Sequence, residues 1–164
     1  MALTHALPRK LRLLLLMSAS KLAGAALSVL GTPLAPCCFA PTTGFFRDGF
    51  CRTDASDRGS HTVCAIVTAE FLSFTASRGN DLATPRPPSF PGLRAGDKWC
   101  LCSARWLEAF EAAKAGLAPP AAVPKVLLSA TNTAALRVVP EEALRMYAAD
   151  EAEEAQVTAN GTTA

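Results

Sequence analysis

The apolar positions fall in short runs separated by glycine- and proline-marked breaks, and the runs predict the elements. "HTVCAIVT", His61 to Thr68, is apolar and β-branched, the pattern of a buried strand. Thr68 then fits an N-cap, with Glu70 in the first turn, where the helix dipole favours an acid. That helix runs to Arg78, and Gly79 stops it. Phe71, Phe74 and Thr75 share its inner face, joined by Leu72. The next break, "NDLATPRPPSFPGLRAG", carries four prolines, and a connection of this length inside a small domain marks a functional or partner-binding segment. "DKWCLC" is the second strand. Ser103 fits the cap of a second helix, whose inner stripe is Trp106, Phe110, Ala113 and Leu117. After the linker "AGLAPPAAVP", "KVLLSA" and "AALRVV" read as two short strands in a hairpin around Thr131–Asn132. Pro140 opens a last helix with Glu141 and Glu142 in its first turn and Leu144 and Tyr147 inward.

This order predicts an α+β fold: a single small domain, with a mixed sheet of about four strands and about three helices. The alternative is an α/β, thioredoxin-like order. It rests on the proline ahead of a strand in "VPKVLLSA", the hairpin and helix after it, and "WCLCS" at a strand-to-helix junction.

In this reading residues 29–149 are the globular domain. Residues 1–28 are an N-terminal extension, basic and without an acidic residue. Its apolar run, Leu13 to Met17, is far short of the roughly 20 residues of a membrane span. Arg12 and Lys21 crowd that run too closely for a secretory signal. The extension reads either as a transit peptide or as a start assigned too early, with Met17 the initiator. The expected compartment is the cytoplasm, or a plastid or mitochondrion if residues 1–28 are a transit peptide. Residues 150–164 are acidic, then small and polar, and are expected to be disordered. Inside the domain, Gly31 to Gly59 is loop-like, and Phe45, Phe46 and Phe50 are expected to pack it down.

Charge narrows the partners. A net charge of +2 over 164 residues, with scattered basic positions, argues against nucleic acid. No membrane partner is expected, and the partner is a small molecule or a protein. Neither a phosphate loop nor a dinucleotide fingerprint is present, so no cofactor is predicted.

The six cysteines change the picture more. Their density is below that of a disulfide scaffold, and a core this apolar should not need staples. Cys100 and Cys102 lie two apart on a strand and face one side, with Trp99 and Leu101 on the other. Their Cα atoms would be about 6.8 Å apart, at the limit of bridging. Cys102 lies at the positive end of the second helix, which favours a thiolate, and Lys98 and Arg105 would add to this if close. The bland reading makes both cysteines small core residues. Cys37, Cys38 and Cys51 could approach this pair, as packed thiols or as a disulfide in an oxidising setting.

Several stretches, taken in order, carry a resemblance: "TGFFRDGFC", "GSHTVCAIVT", "FLSFTASRGNDLATP", "FPGLRAGDKWCLCSARW" and "EAFEA". Over roughly Leu30 to Ala149 the chain resembles the small bacterial and plant family catalogued as domain of unknown function 2237. Its linker "AAKAGLAPPAAVP" is longer than that family's usual connection, and Ser103 stands where alanine is common. The resemblance supports the domain boundaries and puts the extension outside the family. It brings no activity, catalytic residue or ligand.

The chemistry then rests on single residues. The catalytic candidates are Cys102, Cys100 and His61, the last a possible base without an assignable partner. The ligand-binding candidates are Arg47, Asp48, Asn80, Asp81 and Arg86, on the 42–52 and 79–96 loops. Against these stand plain alternatives: a local Arg47–Asp48 ion pair, and an Asx turn at Asn80–Asp81. No metal is assigned. The set on offer is Cys51, His61, Cys100 and Cys102, and C-x-C lacks the paired knuckles of a zinc site. His61 and Cys64 face opposite sides of a straight strand and could join one site only through a bulge. The first functional expectation is a ligand- or partner-binding module built on the two loops. The alternatives are a thiol-dependent redox enzyme centred on Cys102 and Cys100, and a structural metal-binding domain.

Overall fold

The computed structural model describes residues 26–150. The expectations for a leader or early start, and for the acidic tail after Asp150, lie outside the described residues. The architecture is α+β. Its centre is a three-stranded antiparallel sheet in the order β2-β1-β3, with β1 His61–Ile66, β2 Lys98–Cys102 and β3 Lys125–Val126. Three α-helices flank it: α1 Ala69–Ser77, α2 Ser103–Lys114 and α3 Glu141–Met146.

The two sheet faces have different roles. Val63, Ala65, Trp99 and Leu101 join the main apolar core with Phe71, Trp106 and Leu144. The opposite face presents Cys64 and Cys100, directly paired across β1 and β2. This is the alternation expected of a strand, and it separates Trp99 and Leu101 from the cysteines.

Thr68 caps α1, its hydroxyl accepting from the Phe71 N–H at 3.0 Å. Gly79, at φ +80°, ends the helix in a conformation that favours glycine. The start of α2 differs from expectation. Cys102 is the N-cap, and Ser103 is the first helical residue. The Ser103 hydroxyl does not cap. It meets the Thr62 hydroxyl at 2.5 Å and donates to the Ser60 carbonyl at 3.3 Å. The inner stripe is also rotated: Trp106, Ala109 and Ala112 are buried, while Phe110 and Ala113 lie at the margin. Two alanines let the helix approach closely, and Trp106 donates from Nε1 to the Pro124 carbonyl at 3.0 Å. Leu117 falls beyond the last turn and is 75% exposed.

The expected hairpin is not there. β3 is two residues long, and Leu128–Ala130 and Thr133–Arg137 are 3-10 turns. Polar side chains take the backbone groups that a ladder would need. Asn132 Oδ1 accepts from the Ala134 N–H at 2.9 Å. The Asp150 carboxylate accepts from the Leu128 and Ser129 N–H groups at 3.0 and 2.8 Å. The sheet is therefore antiparallel and three-stranded rather than mixed and four-stranded, and the hairpin on which the thioredoxin-like alternative rested is absent among the described residues.

The 31–59 loop is held by covalent bonds, against the expectation of an unstapled core. Disulfides join Cys37 to Cys64 and Cys51 to Cys100. Of the three aromatics expected to pack it down, Phe45 and Phe46 remain 39% and 42% exposed, and only Phe50 is half-buried, edge-on to Phe39. Beyond its cysteines the loop brings in Phe50 and Ala35 only in part.

Candidate functional site

Two thiols remain free among the described residues, Cys38 and Cys102. Cys102 is half-buried where β2 becomes α2. Its partner across the sheet is His61, and the reason is an irregularity in the ladder. Val63 pairs with Leu101, but His61 rather than Thr62 pairs with Cys102. The bulge puts His61 on the cysteine face, which a straight strand would not do. Ser60, at φ +49°, holds the preceding turn, and the Ser60 carbonyl accepts from the Ser103 N–H at 3.0 Å. The Thr62–Ser103 contact ties this turn to α2, so one set of bonds positions both His61 and Cys102.

Asp57 completes the group. Its Oδ1 lies 2.6 Å from His61 Nδ1, and its Oδ2 accepts from the His61 N–H at 2.8 Å and the Thr53 hydroxyl at 3.0 Å. Asp57 is buried. Burial by itself would raise its pKa, but the bonds from His61 and Thr53 outweigh that and hold it below the usual carboxylate value. His61 is pushed up to about 9. The hydrogen bond with Cys102 is the largest cause. Burial opposes it, and the electrostatic influence of Cys102 and the bond and charge of Asp57 add to it. Gly59 passes close above both groups. A methyl group there would lie 2.5 Å from His61 Cε1 and 3.2 Å from Cys102 Sγ.

This Cys–His–Asp arrangement has the parts of an activated nucleophile: a sulfur, a base beside it, and a carboxylate that fixes the ring. Cys102 and His61 were on the sequence's list of catalytic residues, and Asp57 was not. The available signal was the spacing in "DRGSH", a carboxylate four residues before a histidine across a glycine turn. Cys100, the third catalytic candidate, is bonded to Cys51. The four-residue metal set thus divides into a disulfide, Cys51–Cys100, and two residues opposed across β1 and β2, His61 and Cys102. Lys98 is at the far end of β2 from Cys102, and Arg105 pairs with Glu108 at 2.8 Å.

His61 also walls a pocket of about 420 Å³, formed where the 42–52 and 79–96 loops meet over the sheet. Phe45 stacks on the His61 ring at 6.1 Å between centroids. Arg47 lies over the Trp99 ring at 4.7 Å, and Phe90 meets Trp99 edge-on at 5.5 Å. Arg86 also lines the pocket and donates to the Asp81 carbonyl at 2.9 Å. No carboxylate is among the lining residues.

The other loop candidates serve the loops. Asp48 pairs with Arg52, not Arg47, and accepts from the Phe50 N–H at 3.1 Å. Asn80 donates to the Thr75 hydroxyl at 2.9 Å. Asp81 Oδ1 accepts from the Ala83 and Thr84 N–H groups at 2.9 and 3.0 Å, an Asx turn. A broader groove of about 1580 Å³ has Asp57 and Ser60 on its wall, but neither His61 nor Cys102. No helix among the described residues is long and apolar enough to cross a membrane.

Over residues 27–148 the chain matches a family model described as an uncharacterized protein conserved in bacteria. No curated protein matches it.

Proposed function

Given that the chain belongs to the family of domain of unknown function 2237, we propose that it performs thiol chemistry at Cys102 on a small anionic molecule. His61 is the observation that carries this reading. One imidazole is fixed by Asp57, stands opposite Cys102 across β1 and β2, and forms part of the pocket wall, half-buried. In this role Cys102 is the nucleophile, His61 holds and returns its proton, and Asp57 keeps the ring oriented. Arg47 and Arg86 bind the anionic end of the substrate, and Phe45, Phe90 and Trp99 cover its apolar body. On this reading the pocket binds the substrate and Cys102, behind His61 and not itself a lining residue, reacts with it.

The test compares iodoacetate with neutral iodoacetamide, with alkylation followed at each cysteine by peptide mass spectrometry. Neither free cysteine lines the pocket, but Cys102 lies behind His61, which does, so Cys38 is the internal control. The ratio of iodoacetate to iodoacetamide rates should be higher at Cys102 than at Cys38 by roughly tenfold, because cationic clefts concentrate anions. Arg47→Ala with Arg86→Ala should abolish the preference, and His61→Ala should slow both reagents at Cys102. Equal ratios at the two cysteines would sink the anion-binding half. A Cys102 that reacts no faster than in His61→Ala would sink the thiol half.

A further inference from the structure

The buried cysteine face carries more than two staples need. Cys37 and Cys51 from the 31–59 loop, Cys64 from β1 and Cys100 from β2 form one buried cluster, in which three of the four sulfurs converge. Those of Cys37, Cys51 and Cys64 all lie within 4.8 Å of one another, and Cys100 is bonded to Cys51. Two disulfides that merely pinned a loop could lie anywhere along it. These two lie side by side because Cys64 and Cys100 are directly opposed across β1 and β2. All four residues are at most 6% exposed, and the buried apolar residue packed with them is Ala130. The backbone at the site is already committed: the Cys64 N–H donates to the Thr131 hydroxyl at 3.1 Å, and the Cys100 N–H to the Thr43 hydroxyl at 2.8 Å.

We propose that, once both disulfides are reduced, Cys37, Cys51, Cys64 and Cys100 bind one thiophilic divalent cation, of which zinc is the type. A tetrahedral zinc thiolate has Zn–S bonds of about 2.3 Å, and therefore sulfurs about 3.8 Å apart. Opening the two S–S bonds frees three sulfurs already within 4.8 Å of one another, and Cys100, released from Cys51, turns in as the fourth ligand. The electrons balance simply. Each disulfide takes two electrons and two protons from one equivalent of a dithiol, which becomes a disulfide, or two electrons from a phosphine, which becomes its oxide while water supplies the oxygen and the two protons; either way two thiols form. The four thiols then lose four protons as the cation binds. One frame thus has two closures, a covalent one where the surroundings are oxidising and a metal one where they are reducing.

The experiment uses the full chain with Cys38→Ser and Cys102→Ser, which removes both free thiols and makes the outcome independent of the reading of Cys102. The protein is reduced with a phosphine without oxygen, titrated with cobalt(II), and followed by absorbance. The expected result is one cobalt per chain, with thiolate-to-metal charge transfer and the visible bands of a tetrahedral site. Zinc should displace the cobalt, and diamide should release the metal. Adding Cys37→Ser or Cys51→Ser should weaken binding at least tenfold, the change seen by competition with a chromophoric chelator. Circular dichroism shows whether each reduced chain remains folded. A reduced chain that keeps its fold yet takes up no cobalt overturns the proposal. So does a reduced chain that loses its fold and does not regain it with cobalt or zinc, and so does cobalt bound without a thiolate band.

Discussion

At the scale of single residues, the site depends on Gly59 having no side chain. A β-carbon there meets the His61 ring at 2.5 Å, and the ring cannot swing aside without breaking its 2.6 Å contact with Asp57. Gly59→Ala should therefore separate His61 from Cys102 while leaving the core of Trp106, Phe71 and Leu144 intact. The expected outcome is a folded protein whose Cys102 alkylates several-fold more slowly, as in His61→Ala. Asp57 shows why part of this site was illegible beforehand. Its link to His61 needs the chain to reverse over four residues, and the reversal runs through Ser60 in the left-handed region. A serine does not announce that conformation as a glycine would. The pairing of His61 with Cys102 depends on a bulge that no composition marks.

At the scale of elements, β1, α1 and β2 were readable because each has a local physical signature. β1 is a β-branched run, α1 has Thr68 and Gly79 at its ends, and β2 alternates Trp99 and Leu101 with the cysteines. The segment from Leu127 to Arg137 was misread for a different reason. Its apolar pattern suits strands, but Asn132 and the distant Asp150 take its N–H groups and wind it into 3-10 turns. Asp150 acts as a cap on the 128–130 turn from over twenty residues away. Burial would raise its pKa, and the Ser129 and Leu128 N–H groups more than offset that, so it is lowered. A lowered acid contributes stability above its unfolded value, and the contribution is lost as pH falls through the folded one. Asp150→Ala should cost about 1–2 kcal/mol at neutral pH. The difference from wild type should shrink below pH 3.8, as measured by urea unfolding across pH.

At the scale of the whole molecule, the fold has two cores joined by the sheet, one apolar and one made of sulfur. Six cysteines leave many pairings open, so connectivity was beyond the sequence even though Cys51 was seen as able to approach Cys100. The two bridges close loops with sequence separations of 27 and 49. Each such closure contributes roughly 4 kcal/mol in the chain-entropy account. Cys51→Ala with Cys100→Ala should lower stability by about 2–5 kcal/mol, measured under oxidising conditions. Cys38→Ser should change stability little, since its thiol makes only an exposed contact with the Ala40 carbonyl at 3.3 Å.

Whether Cys102, His61 and Asp57 act as one unit is tested most directly by the titration of His61. Nitrogen-15 and proton NMR of its ring, assigned by its loss in His61→Ala, reports the imidazole itself. The expected midpoint is about 9, well above the ordinary 6.5. The raised value also sets a sign: its stabilising contribution is complete below 6.5 and is lost as pH rises through about 9. Cys102→Ala should bring the midpoint down markedly, because the thiol is the largest cause, and Asp57→Asn should bring it down less. A His61 that titrates near 6.5 in the intact protein, with a midpoint that Cys102→Ala does not move, would contradict the account.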